Sequence, residues 1–124
     1  MIDCVAIGDS IAVGYGQASH CAIHAKVGKS AHFISQHFTS GNQGSMCIIS
    51  AGSNDPYSIT LHKDLTTIRN SAIRCNKVIW VIPQNPHAAQ IVRQVAYQFG
   101  DAVLTFQAGH DHIHPRQYKD IVGK

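Results

Sequence analysis

Glutamate is absent from this chain of 124 residues: all seven acidic side chains are aspartates, set against ten lysines and arginines for a formal charge of +3. Charged residues make up only 14% and hydrophobic ones 44%, which excludes a disordered polyelectrolyte and leaves enough apolar material for a packed core. The basic residues are scattered and form no run, so no nucleic-acid partner is expected. No stretch approaches the ~20 apolar residues that a membrane-crossing helix needs, so no membrane span is expected. The four cysteines, Cys4, Cys21, Cys47 and Cys75, form no CxxC pair, and Cys4 and Cys47 lie in apolar stretches. Their spacing predicts free, buried thiols. No basic region followed by a long apolar leader opens the sequence. Together these absences predict a soluble protein of a reducing compartment, cytoplasmic or phage-associated.

What the sequence does contain alternates. Short apolar runs at Cys4–Ile7, Met46–Ala51, Lys77–Ile82 and Ala102–Phe106, bounded by Gly, Asn, Pro or Asp, read as buried strands, the first within an apolar opening at Met1–Ile7. A weaker strand is predicted at His24–Val27. Between them, Ala88, Ile91, Val92, Val95, Ala96 and Phe99 share one face of a 3.6-residue helix, with Pro86 before it and Gly100 behind. Leu61, Leu65, Ile68 and Ala72 mark a second helix, Ala31, Ile34 and Phe38 after a Ser30 cap a third, and Ile11–Ala22 is compatible with a fourth. There are no repeats and no linker, so the reading is one domain over residues 1–124. The β-α-β-α-β-α-β-α-β order predicts an α/β fold with a parallel sheet of about five strands and helices on both faces. Ligands then bind beyond the carboxyl ends of the strands.

Chemically useful residues fall at those ends. Gly8-Asp9-Ser10 follows the first strand and opens a helix, so a serine hydroxyl projects beside N–H groups that favour an anion; the plainer reading is an Asp-Ser helix cap. Asp111-His112-Ile113-His114-Pro115 follows the last strand, ahead of a short terminal helix. A serine needs a base to act as a nucleophile at neutral pH, and the base needs a carboxylate to fix its tautomer; a spacing of three lets one loop present both. Gly28 and Gly52-Ser53-Asn54-Asp55 each follow a strand as well. A glycine N–H and a side-chain amide are donors that an oxyanion hole uses, although each stretch read alone is ordinary turn chemistry.

Taken in order, GDS, G, GSND and DxxHP resemble the four blocks of the SGNH (GDSL-type) hydrolases, over Gly8 to Pro115. The resemblance implies a flavodoxin-like three-layer α/β/α sandwich. It implies Ser10 as nucleophile, Asp111 and His114 as its triad partners, and the N–H of Ser10, the N–H of Gly28 and the amide of Asn54 as the oxyanion hole. The first block reads Gly-Asp-Ser-Ile where the family more often has Leu, and the chain is shorter than most members. The activity so implied is acyl-ester hydrolysis with no cofactor. The resemblance does not choose the acyl group; it is the short chain, with little material for a long acyl tunnel, that points to a short one, acetyl above all, on a carbohydrate or on peptidoglycan. Two other readings are open: an acyl-glycan binding module that turns substrate over weakly, and a metal-dependent hydrolase built on His110, Asp111, His112 and His114.

Overall fold

The structure, a computed structural model, describes residues 3–122. Five strands, β1 (Cys4–Gly8), β2 (Ala22–Ala25), β3 (Gln43–Ser50), β4 (Arg74–Val81) and β5 (Ala102–Leu104), form one all-parallel sheet in the order β2-β1-β3-β4-β5. The intervening helices are α1 (Ser10–Ser19), α2 (Ala31–His37), α3 (Leu61–Ser71) and α4 (Pro86–Phe99). From β1 the chain steps outward to β2, then crosses back to β3 on the other side. The crevice where the order reverses, beyond Gly8 and Ser50, is where such sheets bind ligands.

The period-two alternation of the strands divides the core in two. Val5, Ile7, Cys47, Ile49, Val78 and Trp80 face α2, α3 and α4, meeting Ile34, Leu61, Leu65, Ile68, Val92 and Val95. Ala6, Ile48, Ile79 and Val81 face the other way, against Ile11, Ala12 and Tyr15 of α1 and Ile121 of the C-terminal segment. Full burial of each such aliphatic side chain stabilises the fold by roughly 2 kcal/mol before conformational entropy is counted. The helix predicted from Ala88 to Phe99 is α4, with Pro86 in its first turn, the Asn85 side chain accepting from the N–H groups of His87 and Ala88, and Gly100 closing it in the left-handed region. Ser30 caps α2 as its position predicts, accepting from the Phe33 N–H.

Two expectations are corrected. The weak second strand starts two residues earlier than predicted, because its register is set by pairing Val5–Gly8 with Ala22–Ala25, and its half-exposed residues give little periodicity to read. The thiols are not free: Cys4 is bonded to Cys21 and Cys47 to Cys75. Each bridge joins neighbouring strands or their flanks, β1 to the residue before β2 and β3 to β4, a proximity that only the sheet order creates. The reducing compartment inferred from free thiols loses that support. Among the described residues no helix is long and apolar enough to cross a membrane. Met1 and Ile2, part of the predicted opening run, lie outside the described residues.

Candidate active site

The site begins with a close approach between β1 and β3. Gly8 has φ of +138°, and a Cβ on it would lie 1.8 Å from the Ser50 carbonyl oxygen, so only glycine fits. The next N–H, of Asp9, donates to that same carbonyl at 3.0 Å. Asp9 then caps α1: its Oδ1 accepts from the Ile11 N–H at 3.1 Å and from the Ser50 hydroxyl at 2.9 Å. Ser10 is thereby the first residue of the helix, where N–H groups have no intrahelical acceptor. Asp9 is fully buried, and its Oδ2 has no hydrogen-bond partner among the described residues. Burial pushes its carboxyl up to about 6, opposed by the Ser50 hydroxyl, by the first N–H groups of α1 and, last, by the charge of His114.

The loop after β5 delivers the other two groups. Ser10 Oγ lies 2.5 Å from His114 Nε2, and His114 Nδ1 lies 2.5 Å from Asp111 Oδ2. A carboxylate can only accept, so Nδ1 carries the imidazole proton and the Nε2 lone pair faces the serine hydroxyl. The other oxygen of Asp111 accepts from the N–H groups of Ile113 and His114, both at 2.9 Å, which folds the DxxH sequence into a turn. Those N–H groups, with the imidazole, hold the Asp111 carboxyl well below the usual carboxylate range. His112 takes φ of +60° to close the turn, and a bridge between Ala108 and Pro115 ties its base. Nδ1 and Nε2 of His114 are both engaged, and among the described residues no three His, Cys or Asp side chains are placed to hold a metal ion.

Gly28 sits in a turn after β2 with φ of +78°. Asn54, after β3, donates from its amide to the Lys29 carbonyl at 2.9 Å. Its neighbour Asp55 accepts from the Ala31 N–H at 2.9 Å at the start of α2. The loops carrying Gly28 and Asn54 are therefore tied together at the carboxyl edge of the sheet. The site is open to solvent: the side chains of His114 and Asp111 are 35% and 50% exposed. A cavity of about 480 Å³, lined by His110, Asp111, His114, Arg116 and Gln117 among others, flanks the imidazole, and another of about 260 Å³ lies between Ser53, Pro56, Gln84, Asn85, His112 and Ile113.

Two contributors escaped the sequence reading. Ser50 is an unremarkable strand-end serine until the sheet sets it beside Asp9. Tyr118, in a 3₁₀ turn at Tyr118–Asp120, lays its ring on Gly14 and points its hydroxyl at the Ser10 carbonyl, 3.4 Å away. Nothing in a lone tyrosine near a terminus signals that contact.

No protein-family model matches the chain, and no curated protein sequence matches it. Among solved structures it is similar to the C-terminal catalytic domain of peptidoglycan O-acetyltransferase A (OatA) of Streptococcus pneumoniae, solved with a methylsulfonyl adduct. The identity is 17%, the TM-score 0.58, and the match covers 99% of this chain and 82% of that domain. OatA is an SGNH-superfamily protein, and the likeness is one of fold, in keeping with the all-parallel five-strand sheet flanked by helices. The chain therefore has the fold of the SGNH hydrolases, the family that its four sequence blocks resemble.

Proposed function

We propose that residues 1–124 form one minimal SGNH-type catalytic domain, a serine esterase that removes a short acyl group, acetyl above all, from a carbohydrate or peptidoglycan. The observation that carries this reading is the continuous hydrogen-bonded chain from Ser10 Oγ through His114 to Asp111. His114 Nε2 takes the Ser10 proton as Oγ attacks the ester carbonyl, and Asp111, ionised throughout the neutral range, stabilises the imidazolium that results. The Ser10 N–H, the Gly28 N–H and the Asn54 amide receive the oxyanion. Collapse expels the alcohol, protonated by His114, and leaves an acyl-Ser10 ester. Water, deprotonated by the same imidazole, then releases the carboxylic acid.

The acetyl preference is supported by the cavity beside His114, which is wide open to solvent and in which the polar His110, Asp111, Arg116 and Gln117 share the lining with Gly109 and Pro115. The glycan is supported by the fold likeness to a peptidoglycan O-acetyltransferase. That likeness also favours a second reading, in which a sugar hydroxyl replaces water as the acceptor in the final step. Both readings make an acyl-Ser10 intermediate, so one experiment tests their common core. Incubation with a fluorophosphonate probe and with p-nitrophenyl acetate is expected to give stoichiometric labelling of Ser10 alone and a steady release of nitrophenolate, both abolished in Ser10→Ala. Labelling that survives in that variant, or a wild-type protein that neither labels nor turns over, refutes the proposal. Addition of chitooligosaccharides separates the readings: an acetyltransferase yields acetylated sugar, an esterase only acetate.

A further inference from the structure

Ser10 and His114 are 104 residues apart, and one hydrogen bond at a solvent-open site is a weak means of holding them together. A second contact repeats the pair one step along each element. Gly14 lies four residues after Ser10 on the same face of α1, and Tyr118 lies four residues after His114. A Cβ on Gly14 would stand 2.2 Å from Tyr118 Cζ and within 2.5 Å of both adjoining ring carbons, so the phenol ring occupies the space that any other residue at 14 would fill. Its hydroxyl extends to the Ser10 carbonyl, and Ile121, one turn further on, is fully buried against the same face of the sheet.

We propose that the Gly14–Tyr118 contact is a lock that sets the distance between Ser10 and His114, making Tyr118 a positioning residue for the nucleophile and its base. The ring sits against the α1 face that carries Ser10, four residues beyond His114 in the chain. Burial pushes the phenol up to about 12, with the charges of Asp9 and Asp111 acting in the same direction, so it remains a neutral donor across the working range. Glycine is a poor residue for the second turn of a ten-residue helix, and alanine would suit the backbone of α1 better. The ring explains why glycine is used there: with any side chain at 14, the Tyr118 ring must leave its place on α1, and the contact that anchors the segment after His114 is lost.

This inference rests on Ser10 being the nucleophile, and its test separates the two ideas. In the full chain, p-nitrophenyl acetate kinetics and fluorophosphonate labelling rates are measured for Gly14→Ala, Tyr118→Phe, Tyr118→Ala and the double variant Gly14→Ala/Tyr118→Ala. Gly14→Ala and Tyr118→Ala are each expected to lower kcat and the labelling rate at least tenfold with KM within about twofold. Tyr118→Phe, which keeps the ring, should stay within about threefold of wild type. In the Tyr118→Ala background, Gly14→Ala should cost no more than a further twofold, because no ring is left to displace. A structural or helix-propensity effect would instead cost the same in both backgrounds, and that result, or near-normal kcat in Tyr118→Ala, overturns the lock. The geometry is read independently of turnover by the nuclear Overhauser contact between the His114 ring and the Ser10 side chain. The contact should be present in wild type and lost in Gly14→Ala. Its presence in an inactive wild-type protein refutes the esterase and leaves the lock standing; its absence from wild type, or persistence in Gly14→Ala, refutes the lock.

Discussion

Asp9 is the most strained electrostatic element of the site, and the strain is measurable as stability. Its folded carboxyl is pushed from 3.8 to about 6 by burial. The fold therefore favours the protonated form, and the unfolded chain loses its proton first as pH rises. Stability falls as pH rises through that interval, and the full cost is present above about pH 7. At 1.36 kcal/mol for each tenfold change in proton affinity, the cost is about 3 kcal/mol at pH 8 and about half a kcal/mol at pH 4. Asn imitates the neutral acid: its carbonyl can accept from the Ile11 N–H and the Ser50 hydroxyl, and its amide takes the place of Oδ2. Asp9→Asn should therefore melt close to wild type at pH 4 and roughly 10 °C above it at pH 8, taking about 4 °C per kcal/mol for a domain of this size. Thermal unfolding of both proteins at the two pH values, followed by circular dichroism, reads the difference directly. Other titrating groups are common to both proteins and largely cancel; Tyr118, which senses the Asp9 charge, leaves a smaller residue. A melting difference that is the same at pH 4 and pH 8, or that reverses sign at pH 8, refutes the account of Asp9 as a neutral buried acid.

Asp111→Asn should keep the turn, since an amide oxygen can still accept from Ile113 and His114, yet lower kcat by roughly 10³- to 10⁴-fold at every pH, because the amide opposes the Nδ1–H tautomer; near-normal p-nitrophenyl acetate turnover would contradict this. Reduction should lower the melting temperature steeply: loops of 17 and 28 residues correspond to about 3 and about 3.5 kcal/mol, and a melting temperature indifferent to full reduction excludes both bridges. Asn54→Ala should lower kcat on the order of a hundredfold, with melting lowered only by the loss of the one exposed hydrogen bond to Lys29, about 1 kcal/mol, and Asn54→Asp should cost at least as much in kcat, because a carboxylate repels the developing oxyanion; a folded Asn54→Asp enzyme with normal kcat would remove Asn54 from the mechanism.

What could be read in the sequence was whatever local chemistry imposes. Strand ends show as Gly, Asp and Asn beside β-branched runs, and α4 shows through its apolar stripe and its Asn-Pro and Gly borders. The serine and the Gly28 and Asn54 loops stood at strand ends; the approach of the DxxH turn to Ser10 was not legible, because β3 and β4 lie between β1 and β5 and the loop after β5 has to cross back to α1. The features that escaped reading are those that depend on which strands are neighbours. Cys4 and Cys21 meet because β1 pairs with β2, Cys47 and Cys75 because β3 pairs with β4, and neither spacing carries a signature. Asp9 reads as a helix cap, which it is; that its second oxygen is buried without a partner depends on the packing of β3 and α1 around it.

The same dependence explains why so short a chain can hold this site. Among the described residues three helices cover one face of the sheet and α1 is the one α-helix on the other, where Ile48, Ile79, Val81 and Leu104 also need a cover. Tyr118, Ile121 and Val122 supply part of it. They follow directly on the turn carrying Asp111 and His114, so the residues that complete this side of the core also bring His114 to Ser10. Core packing and site geometry therefore draw on one stretch of chain on this face, with Ile121 buried against the sheet a few residues after His114 meets Ser10. A longer relative with a complete helix there could separate the two tasks. Here they share residues 108–122, and that economy is what makes a single tyrosine against a single glycine matter to the placement of the imidazole.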